Sequence, residues 1–250
     1  MRLDVPSELR ARLDPAERYG LRVTLIGLAI VIVAIPFASL TFQVLAKGPL
    51  TRFDGQVADQ LNHWVRGHPG VISAMKALSL LGRPPVLAIW VAAASVWTWQ
   101  AGRHRLTVFL LVTSIGGGIV DSLVKLAVDR PRPIVDHPVT TAFGKSFPSG
   151  HAMSATVTYG ALLIVLGPFL RAPARRLATV LVALLIVAIG CSRLILGVHF
   201  VTDVVGGSLL GLAWLAGATG AFEAWRHDIA TERRWRRRRR RAALEASASV

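Results

Sequence analysis

Long apolar stretches separated by short polar and basic breaks run through most of the chain. Six of them approach 20 residues, at about 22–46, 84–101, 105–127, 150–170, 176–197 and 200–222. An α-helix needs about 20 apolar residues to cross roughly 30 Å of hydrocarbon. The pattern therefore predicts an all-α, polytopic membrane bundle of six transmembrane helices. Pro36 falls inside the first span, where a kink is tolerated. Residues 51–82 are different: Trp64, Leu61, Val71, Met75, Leu78 and Leu81 recur among charged positions. That spacing predicts interfacial amphipathic helices between the first two spans, lying over the mouth of the bundle.

Charge orients the bundle. The breaks Gly102-Arg103-His104-Arg105 and Arg171-Ala172-Pro173-Ala174-Arg175-Arg176 are basic, and short basic loops stay in the cytoplasm. Both termini then lie on that side. The segments 47–83 and 128–149, with the turn near 198, face outward. The expected organisation is a cytoplasmic segment over 1–21, the first two spans with their outer segment over 22–104, a core over 105–222, and a basic cytoplasmic tail over 223–250. The first span is longer than a signal h-region and follows a polar segment, so it reads as a retained anchor.

Composition agrees with a membrane protein: 53% of the 250 residues are hydrophobic, and the mean hydropathy is +0.51. The formal net charge of +15 is uneven, with nine arginines between Arg226 and Arg241. In a polytopic protein such a tail reads as a helical extension with a disordered end, held by anionic lipid headgroups in preference to nucleic acid. Cys191 is the single cysteine, which excludes an intrachain disulfide and a cysteine metal cage.

Against this apolar background three polar clusters stand out, and polar groups at membrane depth are functional by default. They are Lys125 with Arg132-Pro133, then Pro148-Ser149-Gly150-His151, then Ser192-Arg193 with His199 and Asp203. The predicted topology brings all three to the outward end. Lys125, Arg132 and Arg193 supply fixed positive charge, and arginine suits bidentate contact with phosphate oxygens. Ser149 offers a hydroxyl, and Gly150 a closely approachable N–H at a helix N-terminus, where the dipole favours an anion. His199 and Asp203 are four apart and share a helical face. The carboxylate can accept the imidazole Nδ1–H and leave Nε2 free to attack. His151 comes from another helix and suits the acid that protonates a leaving oxygen.

Lys125-x6-Arg132-Pro133, Pro148-Ser149-Gly150-His151 and Ser192-Arg193-x5-His199-x3-Asp203 resemble, in type, spacing and order, the tripartite signature of the type 2 phosphatidic acid phosphatase (PAP2, lipid phosphate phosphatase) superfamily. The resemblance covers about residues 105–222. It implies a plasma-membrane hydrolase acting on a lipid phosphate or pyrophosphate. It further implies His199 as phosphohistidine nucleophile, Asp203 as its partner and His151 as general acid. Lys125, Arg132, Ser149, Gly150 and Arg193 would form the phosphate cradle, with no metal or other cofactor. Vanadium haloperoxidases share the residue set but are soluble, against six spans here. A lipid phosphotransferase with the same histidine is the nearer alternative, and a scaffold acting through the arginine tail leaves the three clusters unexplained.

The remaining polar residues read more blandly. Asp121 precedes Lys125 by one helical turn and either steers it or pairs with it in packing. Asp129 and Arg130 read as a solvated loop pair, Ser192 as a local hydrogen-bonder, and Cys191 as packing. Gly116-Gly117-Gly118 reads as a close helix contact.

Overall fold

The computed structural model describes residues 18–135 and 139–248, with side chains over 24–135 and 139–225. All its regular elements among these residues are helical: α1 (Arg18–Leu45), α2 (Pro49–Val65), α3 (Pro69–Leu80), α4 (Pro84–Gln100), α5 (His104–Val128), α6 (Gly150–Leu166), a 3₁₀ turn (Gly167–Phe169), α7 (Ala172–Ile195) and α8 (Val201–Ala248). Proline marks the first turn of α2, α3, α4 and α7, where its missing N–H costs nothing and its fixed φ suits the helix.

Five helices among the described residues are long and apolar enough to cross a membrane, and a sixth crossing arises if α3 and α4, bent by 40°, count as one span. Five of the six expected spans are thus α1, α5, α6 with its 3₁₀ turn, α7 and the first part of α8, and the sixth, expected at 84–101, falls on α4 and reaches spanning length only together with α3. The segment 51–82 is helical as expected, as α2 and α3, though α3 belongs to the bent pair. The tail differs in one respect: the backbone stays helical to Ala248, so the non-helical end is not found among the described residues. The side chains of the run Arg236–Arg241, and His137, lie outside them.

The chain divides into two compact units. One is Ala29–Leu215, which carries every candidate site residue. The other pairs the start of α1, up to Leu28, with α8 from Ala216; there Gly220 packs on Ile26, whose Cγ2 would lie 2.9 Å from an added Cβ.

Within the larger unit α6 is central, with 56% of its apolar stretch buried inside the protein against 28% for α5 and 22% for α7. It packs against α4, α5 and α7, and Ala155, Tyr159, Leu87 and Ile189 form a core cluster from three of these helices. The head of α8 approaches α6 through glycine: a Cβ on Gly207 would lie 2.5 Å from the Ser149 carbonyl oxygen, and one on Gly211 3.0 Å from that of Met153. Small residues allow this backbone approach where lipid supplies no hydrophobic drive between helices. The expected glycine face on α5 is partly right. Gly116 and Gly117 meet Trp214 and Val157, whereas Gly118 has nothing within 4 Å.

Large apolar side chains point outward along α5 at Val112, Ile115, Ile119, Leu123 and Leu126, and along α7 at Leu181, Leu184 and Val187. Stripes of this size are not left in water; they suit contact with lipid. Cys191 is also exposed on α7, a correction to its expected packing role.

Candidate active site

The three sequence clusters sit at the C-terminal end of α5, the N-terminal end of α6 and the α7–α8 turn, and hydrogen bonds tie them together. Lys125 Nζ donates to both Asp121 carboxylate oxygens at 2.6 Å, and to the Pro148 carbonyl at 2.8 Å. Asp121 therefore steers the ammonium toward the start of α6. A Cβ on Gly150 would lie 3.0 Å from Asp121 Oδ2 and 3.2 Å from Lys125 Nζ, so this ion pair occupies the space a side chain would need. Ser149 is the N-cap of α6 but makes no side-chain cap bond. Its backbone N–H donates to the Asp203 carbonyl at 2.9 Å, joining α6 to α8.

Arg132 follows α5 and spreads over three backbone carbonyls. Nε donates to Gly144 at 3.0 Å, Nη2 to Phe143 at 3.0 Å, and Nη1 to Val198 at 2.8 Å. Nη1 also lies 3.2 Å from His199 Nε2, which suits a lone pair on that nitrogen. The other ring nitrogen, Nδ1, faces Asp203 Oδ2 at 3.4 Å. That contact is long for a hydrogen bond, yet it points the carboxylate at the expected nitrogen. Burial pushes the His199 imidazole down to about 4, against the opposing pull of Asp203. The ring is neutral at neutral pH, the form a nucleophile requires.

Arg193, near the end of α7, hydrogen-bonds the Ser79 hydroxyl of α3. His151 lies against Gly82, where an added Cβ would be 3.1 Å from its Cδ2. The charges of Arg193, Arg83 and Arg132 all act on His151, so the basic groups converge on one place. Three buried polar atoms there have no partner in the protein: Ser149 Oγ, His151 Nε2 and Arg193 Nε. A buried polar atom without a partner costs about 1–3 kcal/mol, and these three come from two of the three clusters. Ser192, by contrast, donates locally to the Ile189 carbonyl at 2.6 Å, as expected. Among the described residues no three His, Cys, Asp or Glu side chains gather as metal ligands.

One expectation is overturned. Arg130 is not a solvated loop residue: it is 8% exposed, with Nη1 2.6 Å from Asp203 Oδ1 and Nη2 2.8 Å from Asp54 Oδ2. The cause is the C-cap of α5. Asp129 takes a left-handed conformation there, φ 53° and ψ 33°, a common way to end a helix. Asp129 faces out and pairs with Lys145, while Arg130 enters the interior. Asp54, Ser79 and Gly82, which lie in the expected interfacial segment 51–82, and Arg83 just after it were not among the expected site residues. For Asp54 a signal existed. It falls in register with Ala58, Asn62 and Val65, the buried face of α2.

Comparison with known proteins follows the same residues. The family model of the PAP2 superfamily matches residues 106–226. Phosphatidylglycerophosphatase B of Bacillus subtilis is 37% identical over 97 residues, which are 38% of this chain and 47% of that protein. The chain thus spans about half the length of that relative. Decaprenylphosphoryl-5-phosphoribose phosphatase of Mycolicibacterium smegmatis is 34% identical over 149 residues, covering 56% of this chain and 73% of the relative. Undecaprenyl-diphosphatase BcrC of Bacillus subtilis is 32% identical over 131 residues, 51% of this chain and 60% of that one. The crystal structure of a transmembrane PAP2-type phosphatidylglycerolphosphate phosphatase from Bacillus subtilis superposes with a TM-score of 0.68 at 26% identity, covering 78% of this chain and 96% of that one. With its three clusters joined at one end of a helical membrane bundle, the chain belongs to the PAP2 superfamily.

Proposed function

We propose that the protein is a membrane hydrolase that removes phosphate from a lipid phosphate or diphosphate through a phosphohistidine at His199. The observation that carries the reading is the set of three unpartnered buried atoms, Ser149 Oγ, His151 Nε2 and Arg193 Nε. A phosphoryl group offers acceptor oxygens for the hydroxyl and the guanidinium, and an ester oxygen for the imidazole. Lys125, Arg132 and the α6 N-terminus add positive charge around it, which is the main requirement of phosphoryl transfer.

The steps follow from the chain's own atoms. His199 Nε2 attacks phosphorus and forms the P–N bond, while Asp203 holds Nδ1. The bond from phosphorus to the leaving oxygen breaks, and His151 gives that oxygen its proton. His151, now basic, takes a proton from a water that attacks phosphorus in turn. The P–N bond breaks, inorganic phosphate departs and His199 is restored. Arg132, whose Nη1 lies 3.2 Å from Nε2, would exchange that contact for a phosphoryl oxygen.

A cavity of about 510 Å³ supports entry of the substrate from the side. It runs between α4, α5 and α6 past Leu87, Leu111, Ile115 and Val157 and reaches Asp121, the partner of Lys125. Its lining is mostly apolar. Keeping a lipid tail there avoids about 0.8 kcal/mol per CH₂ exposed to water. The basic breaks at Arg103, Arg105, Arg171, Arg175 and Arg176 lie at the opposite helix ends, which supports a site facing outward with both termini cytoplasmic. Residues 105–222 would then form the catalytic core.

The relatives named above act, by their names, on phosphatidylglycerol phosphate, a decaprenyl phosphoribose and undecaprenyl diphosphate. The cradle reads phosphate, so the expected substrate class is an anionic lipid phosphate. Purified protein in detergent, given a panel of polyprenyl and glycerolipid phosphates, should release phosphate and be inhibited by vanadate. No release from any of them would remove the proposal.

A further inference from the structure

Behind the His199–Asp203 pair lies a second buried charge assembly that the phosphate chemistry leaves unused. Asp54, on α2, is fully buried. Its Oδ2 accepts from Arg130 Nη2 at 2.8 Å and from the Thr202 hydroxyl. Its Oδ1 accepts from the Thr202 backbone N–H at 3.0 Å. Arg130 Nη1 donates to Asp203 Oδ1 at 2.6 Å and to Thr202 Oγ1 at 2.7 Å. The guanidinium carbon also sits 4.2 Å from the centroid of the Phe200 ring. The other Asp203 oxygen accepts from the Ser146 hydroxyl and from the Phe200 N–H at 2.8 Å, and faces His199 Nδ1.

Two features separate this assembly from the cradle. Both terminal nitrogens of Arg130 are engaged by Asp54, Asp203 and Thr202, which leaves neither aimed at the phosphate site. Burying an ion pair is also weak support for a fold, since desolvation offsets most of the attraction. What the assembly does is orient. One carboxylate oxygen of Asp203 is held by Arg130, so the other is turned to the nucleophile. We propose that Asp54 and Arg130 are positioning residues: Asp54 clamps Arg130, and Arg130 fixes Asp203 so that its other oxygen orients the His199 ring. The interfacial helix α2 is then part of the catalytic apparatus and not only a cover. This inference rests on the phosphohistidine reading given above.

The test uses the full-length protein in detergent, with a lipid phosphate that the unsubstituted enzyme hydrolyses. Asp54→Asn and Arg130→Ala are compared for kcat per folded protein, KM and inhibition by vanadate. Positioning predicts a kcat lower by about ten- to a hundredfold, the range seen when partners standing behind a site's ligands are removed. KM and vanadate inhibition should hold within about threefold, because the cradle is untouched. The double variant should be little worse than Arg130→Ala, since the two act as one unit, and added guanidinium ion should restore part of its rate. Arg130→Lys keeps the charge but loses the fork; if Asp54→Asn does not fold, its lowered kcat at constant KM carries the test. An unchanged kcat, or a raised KM with weakened vanadate inhibition, would overturn the proposal while leaving the phosphatase reading intact. No vanadate-sensitive hydrolysis by the unsubstituted enzyme would remove that reading and this one with it.

Discussion

Arg132 Nη1 lies 3.2 Å from His199 Nε2 while also donating to the Val198 carbonyl at 2.8 Å. One guanidinium therefore fixes the backbone of the α7–α8 turn and touches the atom proposed to attack phosphorus. Arg132→Lys should lower kcat/KM by about 10²–10³, the usual cost of losing one aimed donor at a developing charge. A single ammonium cannot span Phe143, Gly144 and Val198 together. Steady-state kinetics on the preferred lipid phosphate check this, and a lysine variant within threefold of the native rate would contradict it.

Gly207 separates packing from chemistry. A Cβ there would stand 2.5 Å from the Ser149 carbonyl oxygen and 3.2 Å from the Ser149 nitrogen, both rigid backbone atoms. Gly207→Ala should force α8 away from α6, cost about 1–3 kcal/mol as overpacking does, and lower activity by shifting the Ser149–Asp203 join. Gly118→Ala, with open space at its Cβ, should change neither. Thermal unfolding in detergent read beside phosphate release would show the contrast; equal behaviour of the two variants would contradict the close approach.

The three clusters of the proposed phosphate cradle are readable from the chain because each part is local. Lys125, Arg132 and the Pro148–His151 run sit at helix ends, and His199 and Asp203 are one turn apart, so spacing alone assigns faces. The charge assembly behind them was not readable in the same way. Arg130 and Asp54 are 76 positions apart, and a lone carboxylate on an amphipathic helix looks solvated. Arg130 beside Asp129 resembles an ordinary surface pair until the left-handed turn at Asp129 sends the two in opposite directions. The spans were legible, since lipid demands their length; the register of Asp54 with Ala58, Asn62 and Val65 hints at the buried face of α2, but the partner of Asp54 across the chain is not written in any local pattern.

The neutral state of His199 has a pH signature. Its pKa in the fold, about 4, lies below the ordinary value of about 6.5. The unfolded chain thus binds the proton first as pH falls. Stability linked to this residue is present above pH 6.5 and is lost through the window down to about 4. Nitrogen-15 spectra of the histidines in detergent should show His199 neutral at pH 5.5. A His199 ring that titrates near 6.5 would contradict the burial argument.

Topology is open to labelling. In a Cys191→Ala background, single cysteines at Lys145 and at His104 stand at opposite helix ends of the bundle. An impermeant thiol reagent on intact cells should modify position 145 and spare position 104. The reverse pattern would place the chemistry in the cytoplasm.

The most direct measurement is the site of phosphoryl transfer. Phosphohistidine survives alkali, so enzyme mixed with a lipid carrying labelled phosphate should be quenched in base and mapped by peptide. The expected result is label on His199, absent in His199→Asn and undiminished by EDTA, because Lys125, Arg132 and Arg193 supply the positive charge. Asp203→Asn should slow the labelling without moving it. Label on a serine, or hydrolysis that persists in His199→Asn, would contradict the account.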